Sequence, residues 1–285
     1  MSADQLLREG KLDEALAELQ RQIRAQPADS KLRVFLFQLL VVQGHWERAL
    51  TQLSVSGEMD PATLAMVQMY REAIRCEVFR EEVFAGKRSP VIFGQPEPWV
   101  ALMMESLRLA ADGKHSEAGR LREEALEAAP AIGGTLEREV RSGLESTTQA
   151  QPFEWLADAD ARLGPIVEGI VNGRYYWIPL ARIRQIDIER PADLRDCVWM
   201  PVHFTWENGG DLVGLIPTRY PGSPQHADPL VRLARKTVWD EPAPNVYFGL
   251  GQRLLATDAG EYGLMDVRRI TLGAGPAQES SEQHG

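Results

Sequence analysis

Cysteine is scarce in this sequence: Cys76 and Cys197 are the two cysteines among its 285 residues. Neither has a second cysteine at CxxC spacing, so the chain lacks the pattern of a thiolate zinc site or of a disulfide framework. Both lie beside apolar or charged residues. We therefore expect two buried free thiols rather than a disulfide bond or a metal site.

Long apolar runs and an excess of positive charge are absent as well. No run approaches the roughly 20 apolar residues that a membrane-spanning helix requires, and the first residues are polar and charged, unlike a signal segment. The chain carries 31 Lys and Arg against 41 Asp and Glu, a formal net charge of −10. A nucleic-acid partner requires a basic face. We expect a cytoplasmic protein that binds neither membrane nor nucleic acid.

Histidine is present but dispersed along the chain. The histidines show no metal-ligand spacing, and no serine or cysteine forms a local catalytic pair with them. We therefore expect no catalytic residues, no metal and no cofactor. The five positions are His45, His115, His203, His226 and His284.

What the sequence does contain is a repeat. Residues 10–16 match residues 44–50 at an offset of 34, and Pro27 and Pro61 keep the same interval. A period of 34 is typical of tetratricopeptide units, pairs of antiparallel helices that bury their apolar faces only against a neighbouring unit. In such a unit glycine occupies the turn between the helices, and proline ends the unit because it cannot continue a helix.

A third copy of the turn begins at Gly113, 69 residues after Gly44 and one more than twice the period. Between these copies, residues 86–96 are rich in glycine and proline and interrupt the repeat. Apolar residues spaced by three and four run through the rest of this region. The sequence predicts a tetratricopeptide-like helical domain over residues 1–150.

The pattern changes beyond that point to short β-rich runs separated by turn signals. Asn172-Gly173 and Asn208-Gly209-Gly210 each separate two such runs, and Asn-Gly accepts the positive φ angles of a tight hairpin turn. We predict an α+β fold in which residues 151–272 form a small, mostly antiparallel barrel or sandwich. The polar residues 273–285 are predicted to be disordered.

Two aspartates are the main candidates for chemistry. Asp158 and Asp160 lie in residues 153–162, where they could form a metal site or an acid–base pair. The segment lacks the repeated oxygen ligands and the glycine of a calcium loop. The alternative is a capped turn, in which both carboxylates bind backbone amides or Arg162 while aromatic side chains such as Trp155 anchor the domain junction.

A second candidate site places a cation beside an aromatic ring. Arg219 and Tyr220 could hold a peptide carboxylate or backbone, but they precede Pro-Gly, a turn dipeptide, so a bend between strands is the alternative. Residues 249–253 contain two glycines but lack the remaining pattern and the strand-to-helix context of a phosphate loop. We do not expect a nucleotide site there.

Five segments, taken in their order and spacing, carry a family resemblance: residues 81–86, 94–99, 153–165, 219–223 and 249–253. Together they resemble the ImpE/SciE family of bacterial type VI secretion accessory proteins, over nearly the whole chain apart from its polar tail. The resemblance implies a cytoplasmic, non-catalytic protein that associates with the contractile sheath. It implies binding of an N-terminal helical segment of the small sheath subunit, TssB/VipA, and a link to the disassembly ATPase ClpV.

The repeat and the family resemblance together support one hypothesis about binding. A repeat domain offers a groove, and an amphipathic helix in a groove is a common mode of recognition. The first helices of the repeats would line that groove, so the predicted contact residues are Arg33, Phe37, Leu40, Val41 and Tyr70. The alternative for the apolar members of this set is a place in the core.

Two other functions stay open at this level. An enzyme or ligand-binding module in the β-rich domain would use Asp158, Asp160 and Arg219 around a small pocket. A homodimer would form through exposed tryptophan of the same domain. Carboxylates that are engaged by backbone caps would remove the best residues of the enzyme hypothesis.

Overall fold

Helical pairs build the first part of the described chain, which comprises residues 1–143 and 145–273 of the computed structural model. The tail predicted to be disordered lies outside these residues apart from Gly273. Within them, α1 packs against α2, α3 against α4 and α6 against α7, each pair joined by a short turn. The described α-helices are α1 (Ala3–Arg8), α2 (Leu12–Ala25), α3 (Ser30–Val42), α4 (Trp46–Met59), α5 (Leu64–Phe84), α6 (Pro98–Ala111), α7 (His115–Ala128) and α8 (Pro229–Arg232).

The repeated glycines end helices in the way that the sequence predicts. Gly10, Gly44 and Gly113 have φ angles of 75°, 71° and 77°, the left-handed conformation that glycine adopts without steric cost. In each turn the N–H after the glycine donates to a carbonyl five residues earlier, as in the Schellman motif. Gly86 ends α5 with the same geometry and a φ of 71°. The glycine- and proline-rich segment that interrupts the repeat therefore begins with the same glycine turn as the repeats.

The strands form one large sheet and two small ones. The nine-stranded sheet has the order β1-β6-β5-β9-β8-β7-β14-β2-β3 and is antiparallel except between β1 and β6. A three-stranded sheet has the order β13-β12-β4, and β10 pairs with β11. The described strands are β1 (Val91–Ile92), β2 (Gly134–Ser142), β3 (Glu145–Phe153), β4 (Leu156–Asp158), β5 (Ile166–Val171), β6 (Arg174–Pro179), β7 (Ile183–Ile188), β8 (Trp199–Trp206), β9 (Asp211–Pro217), β10 (Thr237–Ala243), β11 (Val246–Gly251), β12 (Leu254–Thr257), β13 (Gly260–Gly263) and β14 (Val267–Leu272).

Both predicted hairpins are confirmed. β5 and β6 pair across Asn172 and Gly173, whose φ angles of 50° and 70° are those of a tight primed turn. β8 and β9 pair across residues 207–210, where Gly209 has a φ of 86°. The α+β class with a mostly antiparallel sheet is confirmed as well.

One expectation about the fold is wrong. Helix does not continue to about residue 150, because residues 134–142 and 145–150 lie in β2 and β3. Of the two predicted forms of the β-rich part, barrel or sandwich, the closed barrel is not formed within the described residues, since β1 and β3 remain at the two edges of the large sheet. The boundary between two domains at residue 150 stays a prediction.

Both faces of the large sheet are covered by apolar side chains. One face shares a continuous core with the helices, to which the sheet contributes Trp177, Trp199 and Leu215. The other face packs with the small three-stranded sheet, including Leu156, Leu255 and Tyr262. The helical part and the sheet are therefore joined by a common core, and this junction positions most of the predicted site residues.

Candidate functional site

The predicted peptide-contact residues lie inside the molecule. Phe37, Leu40, Val41 and Tyr70 are at most 3% exposed. Arg33 is partly buried and donates a hydrogen bond of 3.2 Å to Gln52 on α4. The inner face of the repeat is thus a packed interior at these positions and does not form an open groove.

The chain's own sheet region fills that inner face. The ring of Trp199 on β8 lies 5.9 Å from the ring of Tyr70 and 6.1 Å from that of Trp46. The guanidinium of Arg195 lies 4.7 Å from the centre of the Tyr70 ring. The segment before β8 also touches α3, where the Leu194 N–H donates to the side chain of Gln38. Strand β8 and the turn before it therefore occupy the place at which the sequence predicts a peptide.

Arg219 ties the sheet region to the end of α3. Its guanidinium donates to the carbonyl oxygens of Val41, Val42 and Arg232, and satisfies acceptors that the last turn of a helix leaves open. Burial lowers the pKa of Arg219 to about 10, so it stays charged at neutral pH. Its hydrogen-bond donors are engaged inside the protein and do not face a peptide carboxylate.

Buried ions form a network between α5 and the sheet. Arg80 on α5 donates to Glu77 at 2.8 Å and to Glu168 on β5 at 2.6 Å. Arg253 pairs with the other oxygen of Glu168 and with Asp158 on β4. All five side chains are less than 9% exposed. This cluster of alternating charges, the junction network, crosslinks α5 to β4, to β5 and to Arg253, the residue before β12.

The junction network favours the charged form of Glu168. Burial acts to raise the pKa of Glu168, but the guanidiniums of Arg80 and Arg253 outweigh it and lower this pKa to about 2. Burial raises the pKa of Asp158 to about 6, against the attraction of Arg253. The network also engages neutral groups, because Tyr175 donates to Glu168.

The two aspartates are bound by groups of the protein itself. Asp158 accepts from the N–H of Asp160 at 2.9 Å and from the hydroxyl of Tyr220 at 3.0 Å. Asp160 accepts from the N–H groups of Arg162 and Gly249, at 2.8 and 2.7 Å, and from the Arg162 guanidinium. This arrangement engages both carboxylates in a turn and in ion pairs. The enzyme hypothesis therefore loses its best residues.

Aromatic rings and glycines complete this junction. The Arg162 guanidinium lies 5.1 Å from the ring centre of Phe84 on α5 and 4.6 Å from that of Phe248 on β11. Gly249 lies against the Tyr220 ring so closely that a Cβ atom would be 2.2 Å from the ring. Trp155, in contrast, is 40% exposed and lies on the surface.

Four of the segments behind the family resemblance meet at this junction: residues 81–86, 153–165, 219–223 and 249–253. They contribute ion pairs, backbone caps and ring contacts to it. Within the described residues, no group of three or more His, Cys, Asp or Glu side chains is arranged to hold a metal ion. The geometry indicates a structural role for these segments.

A groove on the outside of α5 is open to solvent. It consists of two cavities of about 480 and 330 Å³ that share Glu72, Gly173 and Arg174 as lining residues. One wall is the face of α5 from Gln68 to Phe79, and the other wall includes the β5–β6 turn, β9 and β1. We call this feature the outer groove.

Apolar side chains, the carboxylate of Glu72 and two arginines line the outer groove. Met69, Val91 and Val213 are 48%, 48% and 67% exposed, and all three line this groove. Glu72 pairs with Arg75, whereas Arg174 is exposed and forms no ion pair with any side chain of the described residues. This combination suits an apolar ligand that also carries a negative charge.

Sequence reasoning missed both the junction network and the outer groove. Glu168 interrupts the otherwise apolar strand Ile166–Val171, and Glu77 and Arg80 are spaced by three on α5. A charge within an apolar strand and an opposite charge on a helix are the signal that would have predicted a buried pair. The outer groove has no such signal, because its walls come from segments far apart in sequence.

No helix in the part of the chain that the structure describes has the length and apolar character needed to cross a membrane. A profile of the ImpE protein family matches residues 150–271, and a tetratricopeptide repeat profile matches residues 6–74.

The chain also resembles individual proteins over nearly its whole length. It is 49% identical over 271 residues to the type VI secretion system accessory component TagJ of Pseudomonas aeruginosa, an alignment that covers 95% of this chain and 90% of that protein. A crystal structure of a Vibrio parahaemolyticus protein matches with a TM-score of 0.82 and 24% identity, and covers 96% of this chain and 98% of that one. The second likeness concerns the fold alone.

Proposed function

The chain belongs to the ImpE family and is a homologue of a type VI secretion accessory component, and on that premise we propose that it is a non-catalytic adaptor of the secretion sheath. It binds an N-terminal helical segment of the small sheath subunit, TssB/VipA, in the cytoplasm. The observation that carries the accessory role is the 49% identity to TagJ over 95% of the chain.

The helical nature of the bound segment is supported by the shape of the surface. An amphipathic helix buries its apolar stripe in a groove and keeps its polar side in water. The inner face of the repeat is filled by β8, whereas the outer groove along α5 is open and carries exposed apolar side chains.

Calorimetry tests this binding directly. The full-length protein is titrated with a synthetic peptide of the N-terminal helical segment of the small sheath subunit from the same bacterium, and with a scrambled peptide. Saturable binding of the native peptide alone is expected. No binding in calorimetry, together with no co-purification of the intact sheath subunit, would contradict the proposal.

We also propose that the adaptor modulates sheath assembly or its disassembly by ClpV. Purified sheaths are incubated with ClpV and ATP, with and without this protein, and disassembly is followed by light scattering; assembly is followed in the same way from sheath subunits. A changed rate in either reaction is expected. Equal rates with and without the protein in both would contradict this role.

A further inference from the structure

We propose that the free edge of β3 pairs with β3 of a second copy of this chain, in antiparallel orientation about a two-fold axis at Thr148. The large sheets of the two copies then join into one continuous sheet, and the interface is the same surface on both copies. This inference goes beyond the adaptor role and does not depend on it.

β3 has few of the features that keep a free strand edge from pairing. It stands at one edge of the nine-stranded sheet, and no other strand of the described residues pairs with its outer side. Free edges are usually short, bulged, covered or charged, because their unpaired N–H and C=O groups bind other strands. β1, at the opposite edge, is 2 residues long. β3 has 9 residues, pairs with β2 without a bulge, and carries one charged side chain, that of Glu145.

The β2–β3 hairpin is also open to a second copy. Residues 145–150 and Pro152 are exposed, Gln151 is half-buried, and Phe153 is buried at the end of the strand. On the other side of β2, the pairing with β14 ends at Arg138, whereas β2 continues to residue 142. The hairpin therefore projects past β14, and its outer edge can be reached by another molecule.

Pro152 shows which backbone groups of β3 face outwards. Proline has no N–H, so a strand places it where its nitrogen faces away from the neighbouring strand. The Pro152 carbonyl agrees with this orientation, because it accepts from the side chain of Gln151 at 3.3 Å. Orientation repeats at every second residue of a regular strand. The N–H and C=O groups of Ser146, Thr148 and Ala150 therefore face outwards as well.

A two-fold axis at Thr148 matches these outward groups with each other. Residues at equal distances from the axis lie opposite in an antiparallel pair, so Thr148 faces Thr148 of the second copy and Ser146 faces its Ala150. Each outward N–H then meets an outward C=O, which gives about six hydrogen bonds between the copies. The matched segment ends before Pro152, where a donor is missing.

The side chains of β3 favour the same orientation. Glu145 lies at one end of the strand, so antiparallel pairing places the two carboxylates at opposite ends of the interface. Parallel pairing would place them side by side, which is unfavourable. With the axis at Thr148, Glu145 faces Gln151 of the second copy, whose amide is a suitable donor, and threonine faces threonine at the centre. The rest of the strand is uncharged, although the whole chain carries −10.

Sedimentation velocity over a micromolar-to-millimolar series tests the pairing. One strand pair covers less than the roughly 1,600 Å² of a standard stable interface, so we expect a dimer that forms as the concentration rises. Thr148→Pro removes the outward N–H and the two central hydrogen bonds, and is expected to weaken dimerisation by about tenfold or more. The matched control, Thr148→Val, keeps the N–H and is expected to dimerise like the wild type. Circular dichroism checks that each variant is folded.

Disulfide crosslinking tests the register. Opposite residues of an antiparallel pair have Cα atoms about 4.5–5.5 Å apart, within the range that a disulfide bond spans. Thr148→Cys is therefore expected to give a covalent dimer on mild oxidation, seen on a non-reducing gel and removed by a reducing agent. Ala150→Cys is the control, because the two residues 150 lie on opposite sides of the axis. The wild type, with Cys76 and Cys197, is treated in parallel.

Each part of the proposal has an outcome that would overturn it. A wild type that stays monomeric throughout the series would overturn the pairing itself. Dimerisation of Thr148→Pro at wild-type strength, or loss of the dimer in Trp155→Ala instead, would assign the interface to another surface, in the second case the exposed tryptophan. A crosslink in Ala150→Cys but not in Thr148→Cys would overturn the axis at Thr148.

Discussion

Arg80 is the residue at which the helical part and the sheet are most directly linked. The Arg80 side chain is 2% exposed. Its guanidinium donates hydrogen bonds to the carboxylates of Glu77 and Glu168 and to the carbonyl oxygen of Arg219. Arg80→Ala leaves the buried Glu77 without its cation and Glu168 with Arg253 alone, so we expect a loss of about 3–5 kcal/mol in the free energy of unfolding. Arg75→Ala, which removes an exposed pair on the same helix, should cost less than about 1 kcal/mol. Urea unfolding measures both, and similar losses would contradict the assigned role.

Two of the three carboxylates of the junction network, Glu168 and Asp158, give opposite pH dependence. The pKa of Glu168 is lowered to about 2, so its ionised form contributes stability above about pH 4.5 that is lost as the pH falls towards 2. The pKa of Asp158 is raised to about 6, so the folded state takes up this proton first and gains stability as the pH falls from about 6 to 4.

Two variants separate these contributions in unfolding measured from pH 7 to 3. Glu168→Gln should lose less stability than the wild type below pH 4.5. Asp158→Asn should lack the gain between pH 6 and 4. Parallel pH profiles for the wild type and both variants would show that these groups do not titrate as described.

Gly249 shows how closely the junction is packed. Alanine there would place Cβ 2.2 Å from the Tyr220 ring, which is fully buried and bonded through its hydroxyl to Asp158. We expect Gly249→Ala to destabilise the protein by about 1–3 kcal/mol through overpacking. Gly119→Ala, inside α7 with its nearest neighbour at 3.8 Å, should instead stabilise by about 1 kcal/mol. Thermal unfolding shows the signs, and two shifts in the same direction would contradict this account.

At the residue scale, sequence reasoning located several junction residues and offered a capped turn as one role for Asp158 and Asp160, but it did not identify their distant partners. Asp158, Asp160 and Arg219 are candidates at the sequence level because their residue types suit chemistry. Their carboxylates and guanidinium are engaged by Tyr220, Gly249 and helix carbonyls, which are distant in sequence. Local pattern identifies a polar cluster, whereas its partners depend on tertiary packing.

At the scale of elements, the repeat turns allow a graded test. Gly113 and Gly44 share a left-handed φ, so alanine strains both turns by about 1–2 kcal/mol. A Cβ at Gly113 would meet no atom within 4 Å, whereas at Gly44 it would lie 2.8 Å from Cβ of Pro224. Gly44→Ala should therefore lose clearly more stability than Gly113→Ala in urea unfolding. Equal losses would show that the contact with Pro224 relaxes freely.

The helices and strands also differ in how well local sequence predicts them. The β5–β6 and β8–β9 hairpins follow from local Asn and Gly signals. The sequence of β2, GTLEREVRS, gives no clear strand signal because it mixes charged residues with few apolar ones. Its partners are β3 and β14, and β14 is more than 120 residues away in the chain. Local sequence patterns carry little information about strand pairing over such a distance.

At the scale of the whole molecule, the filled inner face explains why the predicted contact residues are buried. A short helical repeat has a free apolar face that a partner or the same chain can cover. Sequence alone does not decide between them. In this fold Trp199 and Leu215 of the sheet join the helical core, and the open apolar surface lies on the other side of α5.

The shared core predicts that the helical part and the sheet unfold together. In urea, tryptophan fluorescence reports the seven tryptophans together, among them Trp177 and Trp199 in the shared core, and far-ultraviolet circular dichroism is dominated by the helices. We expect the two signals to change in one coincident transition, as for a single cooperative unit. Two separated transitions would contradict the shared core.

Cutting the chain after residue 150 tests the same point from the other direction. The cut falls within β3 and separates β2 from its partner β14, besides exposing the apolar residues that the two halves bury against each other. Each half alone should therefore lack a cooperative transition, and mixing the halves should restore part of the structure. A half that unfolds cooperatively by itself would identify an autonomous domain, and the predicted boundary near residue 150 would then describe an independent folding unit.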